Sequence, residues 1–164
     1  MDTMPTHPAT LRRFFLTAAT VAVLDISFAA TWWVVIRGTT TLPRILQGIA
    51  SGLLGKAAAQ QGGAATVLLG AVLHCIVATG WTAIFFLAVR RSQGLRALLQ
   101  RPFGVAIVGM PYGMFVWLMM TFVIIPLSRT TPAQVTSTWF WVSLAWHAVG
   151  VGLPIAIGAN VKQR

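Results

Sequence analysis

Residues 65–89 read ATVLLGAVLHCIVATGWTAIFFLAV. No Asp, Glu, Lys or Arg interrupts the run, and His74 is its single imidazole. As a helix rising ~1.5 Å per residue, it is longer than the ~30 Å hydrocarbon core of a bilayer. In hydrocarbon there is no water to bond the backbone, so such a segment must satisfy its own N–H and C=O groups as a helix. Moving outward, residues 14–36, 103–127 and 138–158 have the same character. The four runs predict an all-α, integral-membrane four-helix bundle, a single membrane domain over residues 1–164.

Composition supports that reading. Of 164 residues, 57% are hydrophobic and 9% charged, with 12 Lys+Arg, 2 Asp+Glu and no Glu at all. Mean hydropathy is +0.79. Soluble domains carry roughly a quarter charged residues, so a water-facing surface cannot be made from this chain. A soluble globular enzyme, a disordered tail and a coiled coil are excluded. The net charge of +10 lies between the apolar runs. It reads as a topology signal and as attraction to anionic lipid headgroups in the bilayer, with no nucleic-acid partner. Cys75 is the only cysteine, so no intrachain disulfide and no cysteine-based zinc pattern exists.

Basic residues set the orientation. Arg12, Arg13, Arg90, Arg91, Arg96, Arg101, Lys162 and Arg164 fall on one side, against Arg37, Arg44, Lys56 and Arg129 on the other. Both termini and the central loop are therefore expected in the cytoplasm. Trp32, Trp33, Trp139 and Trp141 lie at the opposite ends of spans one and four, where an interfacial aromatic belt would sit. Residues 43–60 are apolar and rich in small side chains, but only 11 residues separate Arg44 from Lys56. That is too short to cross, and predicts an interfacial or re-entrant helix between spans one and two, started near Pro43. Arg12-Arg13-Phe14-Phe15-Leu16 is similar to the core of a twin-arginine signal. Asp25 within the run, and apolar character continuing through Trp32 to Ile36, favour a retained anchor over a cleaved signal.

Three strongly ionisable side chains fall within the spans: Asp25, His74 and His147. Such groups are expensive in hydrocarbon and are functional candidates by default. Counting helical rise from the span ends puts all three at a similar depth. Ala18, Ala22 and Ala29 share the face of Asp25. Gly70, Ala71 and Ala78 flank His74, and Ser143, Gly150, Pro154 and Gly158 flank His147. Small residues line close helix contacts in membranes, so each group is expected to point into the bundle. Four readings stay open. The trio could be a proton-linked site for translocating a small solute. The two histidines could ligate haem b, or the three groups a divalent ion, although no metal site is assigned. The trio could also only fix helix packing in a non-catalytic subunit or scaffold.

In span three, Gly109, Pro111 and Gly113 form a GxxxG frame around a proline. This is a candidate hinge, or a tightly packed kinked helix, or a contact for a homo-oligomer. Tyr112 is a possible partner of the polar centre, and Met114, Met119 and Met120 read as packing residues. No nucleophile elbow, phosphate loop, HExxH or cysteine pair is present. Adjacent helical residues point ~100° apart, so His74 and Cys75 do not form a dyad. The balance points away from an enzyme.

The stretch RILQGIASGLLG at 44–55, with GLPIA at 152–156, resembles segments of small four-span bacterial inner-membrane proteins of unknown function. In these a glycine-rich outer segment precedes a span with one histidine, matched here by His74. The resemblance covers residues 40–160. It implies a bacterial cytoplasmic (inner) membrane and a compact four-helix unit. It brings no activity, and Asp25 lies outside it.

Overall fold

The computed structural model describes residues 8–130 and 137–160. Among the described residues every regular element is helical. Helix α1 runs Pro8–Ala30 and continues as a π-helical stretch, Thr31–Ile36. Two shorter helices follow, α2 (Leu42–Leu54) and α3 (Lys56–Gln61), and then the long α4 (Gly63–Arg91). Helix α5 (Gln93–Leu99) leads into α6 (Gly104–Leu127), and α7 covers Thr138–Ala159. Four of these helices, α1, α4, α6 and α7, are long and apolar enough to cross a membrane. Their outward faces carry Val23, Leu68, Ile76, Ile84, Ile107 and Ile157, all at least half exposed. A water-soluble surface does not sustain apolar exposure on this scale. Lys162 and Arg164 lie outside the described residues.

The segment expected as one helix over 43–60 is two helices. Pro43 sits in the first turn of α2, where its missing N–H is harmless. Gly55, at φ +82°, then turns the chain before α3, and Gly63, at φ +57°, turns it again into α4. Such left-handed backbone favours glycine. Helix α2 does not stand apart from the bundle. It lies against α4 so closely that a Cβ on Gly70 would overlap the Leu46 carbonyl. Gln47 donates to Thr66 Oγ1 at 3.3 Å, and Arg44 donates to Gln47 Oε1 at 3.1 Å. The far side of α2 is tied to the end of α6 by Arg129 N–H donating to the Gly52 carbonyl at 3.0 Å.

Span three carries the candidate hinge residues Gly109, Pro111 and Gly113. Gly104–Met119 is α-helical straight through Pro111, so the proline at the centre of the predicted hinge does not break the helix. The departures lie elsewhere. Met120–Ile124 in α6 is π-helical just before Pro126, and His147–Gly152 in α7 just before Pro154. A proline ring clashes with the carbonyl four residues back, and a local π adjustment relieves the clash within the helix. Gly109 and Gly113 are buried against the π-helical part of α7. A Cβ on Gly113 would overlap the His147 carbonyl, and one on Gly152 the Gly109 carbonyl. These glycines pack inside the chain.

The two halves of the bundle differ. Toward the N terminus of α1, Val21, Phe85, Val89, Leu99, Val151 and Ile155 form a closed apolar core. At that end Arg13 donates to the Asn160 carbonyl at 3.3 Å, so α1 starts where α7 ends. Arg96 folds back onto the last carbonyls of α4, Val89 (2.9 Å) and Arg90, a favourable place for a cation. The opposite half, roofed by α2, contains a cavity.

Candidate functional site

The cavity holds about 350 Å³ and lies between α1, α4, α6 and α7, with Ile45 and Ile49 of α2 above it. Its walls are largely apolar and aromatic. Asp25, His74 and His147 all line it, so the three polar groups singled out by depth and helical phase face one space.

They are not equivalent. His147 Nε2 lies 3.5 Å from Asp25 Oδ1. His147 Nδ1 lies 2.7 Å from the Ser143 carbonyl, one turn back on α7. A carbonyl only accepts, so Nδ1 carries a hydrogen. The Nε2 of His147 is thus the ring nitrogen turned toward the Asp25 carboxyl. Both side chains keep partial access to the cavity, with 29% of Asp25 and 16% of His147 exposed.

His74 takes a different partner. Its Nε2 lies 2.9 Å from the carbonyl of Ala22, so Nε2 is the donor and the bond ties α4 to α1. It makes no ion pair with Asp25. For haem to use both histidines, His147 would have to give up its contact through Nδ1 or through Nε2. For a metal ion, no group of three His, Cys, Asp or Glu among the described residues is suitably arranged.

The aromatic setting was not legible beforehand. Trp33, Trp81, Trp117 and Trp139 all line the cavity. Trp117 Nε1 donates to Ser143 Oγ at 2.9 Å, and its ring lies 6.5 Å from that of His147. Phe28, one turn after Asp25, is stacked between Trp139 (5.4 Å, 15°) and Trp146 (4.7 Å, 8°). Gly150 makes room for Trp146, because a Cβ there would enter the indole. Trp141 points away and is 62% exposed, so the residues expected as one interfacial belt divide between wall and outer surface. Tyr112 does not reach the polar centre: its hydroxyl donates to the Trp81 carbonyl at 2.6 Å. Cys75 is exposed on the outer face of α4.

Fold and site define the class: a chain whose regular elements, among the described residues, are all helical, with four candidate membrane spans and an acid–imidazole pair joining the first span to the last. No family model matches the chain, and no curated protein or solved structure is similar to it.

Proposed function

We propose that this is a multi-pass protein of a bacterial cytoplasmic membrane, of the small four-span kind its sequence resembles, with both termini inside. We propose further that it couples proton movement to translocation of a small solute through the α1–α4–α7 cavity. The observation carrying this is the Asp25–His147 pair, 3.5 Å apart at the wall of a largely apolar cavity, and in this reading the two groups share one proton. Intramembrane acid and imidazole groups at a cavity are the materials of proton relays. The unequal halves of the bundle fit a site reached from the outer side, with α2 at the interface as its roof. The basic end, rich in arginine, would meet the anionic headgroups of the inner leaflet.

A second reading has its own observation. The His74–Ala22 bond needs no proton movement and fastens α4 to α1, as it would in a non-catalytic subunit whose polar groups only hold helices together. Vesicles enclosing a pH-sensitive dye separate the two. Under an imposed pH gradient, a panel of small amines, carboxylates and sugars is added outside. The transport reading expects at least one class of solute to move protons through the wild type and not through Asp25→Asn. A packing role expects no solute-dependent proton movement from either.

A further inference from the structure

We infer that the cavity is a site for a compact organic cation with apolar substituents, and that the cation exchanges one-for-one with the proton of the Asp25–His147 pair. This names the solute of the proton-linked reading and rests on it. Ligand sites of this size are mostly apolar and aromatic with a few polar groups that fix orientation. Among the described residues, Asp25 is the only one lining the cavity that can carry a negative charge. Trp33, Trp81, Trp117 and Trp139 surround the same space, and indole is the strongest aromatic partner for a cation. An anionic solute would meet Asp25 with no fixed cation to receive it. A sugar would find few hydrogen-bond partners: the Trp81 and Trp117 N–H groups are already given to Met120 Sδ and Ser143 Oγ.

The titratable and charged groups around Asp25 are few. His74 approaches from α4 and His147 from α7, while α6 and α2 present none to the cavity. Arg44 of α2 is directed to Gln47 and the Gln60 carbonyl. Charge then fixes the stoichiometry. The protonated pair is neutral. When a monovalent cation enters beside Asp25, the shared proton leaves to water, and ionised Asp25, neutral His147 and the cation again sum to zero. No bond other than this O–H or N–H is broken, and the cavity never holds a net charge in a low-dielectric interior, where it would be costly.

The test uses purified full-length protein in detergent and benzyltrimethylammonium, which has no dissociable proton. Its neutral carbon isostere, neopentylbenzene, is the control. Binding is read from tryptophan emission, and proton release from a pH dye in weak buffer. The expected result is saturable binding of the cation, weak binding of the isostere, and one proton released per cation bound. Affinity should rise about tenfold per pH unit while the pair keeps its proton. Asp25→Asn should abolish both signals. Trp33→Leu and Trp139→Leu, which keep an apolar wall, should each weaken binding about tenfold. Equal binding of cation and isostere, or cation binding without proton release, overturns the inference. An alkaline titration of the same samples separates the levels. If a proton lost by the wild type is missing from Asp25→Asn, yet the cation does not bind, the cation inference falls and the proton-linked reading stands. If no such proton exists, both fall.

Discussion

Replacing Gly113 by alanine should loosen both the bundle and the site. A Cβ at this position would lie 2.7 Å from the His147 carbonyl carbon and 2.8 Å from the Gly152 amide nitrogen, with the His147 oxygen nearer still. Ordinary contact begins at 3.4 Å, so α6 and α7 must separate by about 1.4 Å to clear the His147 oxygen. Backbone surrounds the new atom, and no flexible side chain can yield. A gap of ~0.5–1 Å forfeits a quarter to a half of the dispersion energy of the contacts it opens. Overpacking of this kind costs about 1–3 kcal/mol. In a chain of this size that is a fall in melting temperature of roughly 2–12 °C. The control is Gly80→Ala on α4, where no heavy atom lies within 4 Å of the added Cβ. It should keep or slightly raise stability, because alanine is the better helix former. Thermal unfolding in one detergent, followed by circular dichroism, compares the two. The displaced backbone belongs to His147 itself, so Gly113→Ala should also disturb the proton held with Asp25. Equal melting temperatures for the two variants would refute the α6–α7 packing described here.

Other expectations follow from particular contacts. His74→Ala removes the bond to Ala22 and should lower stability by about 0.6–2 kcal/mol in an unfolding titration, while the proton of the Asp25–His147 pair is retained. Trp141 is 62% exposed and Trp117 only 5%. Brominated lipids should therefore quench much less of the emission of Trp141→Phe than of Trp117→Phe. Cys75 faces outward midway along α4. It should resist a water-soluble maleimide in intact vesicles and react once the protein is unfolded in denaturant.

The four long helices were legible because a long uninterrupted apolar run can satisfy its own backbone groups in hydrocarbon only as a helix. The meeting of Asp25 with His147 was legible in outline, since equal depth and small flanking residues constrain two helices strongly. The separate partner of His74 was not, because the Ala22 carbonyl leaves no mark in side-chain patterning. Trp139 and Trp141 were grouped by composition, yet residues two apart on a helix face nearly opposite sides. Phase alone could have divided them. The π-helical stretches before Pro126 and Pro154 depend on how each ring meets the preceding turn, and the prominent Pro111 drew attention from both. The break of residues 43–60 at Gly55 was masked by the run of glycines around it.

At the centre of the proposed function, Asp25 and His147 would share one proton. The most direct measurement is magic-angle-spinning NMR of the protein in lipid bilayers at neutral pH, with ¹⁵N-labelled histidine and ¹³C-labelled aspartate. With only two aspartates and three histidines in the chain, single substitutions assign the signals. The account predicts a hydrogen on His147 Nδ1 and one further proton on His147 Nε2 or the Asp25 carboxyl. An ionised Asp25 beside a His147 whose Nε2 is bare would contradict it.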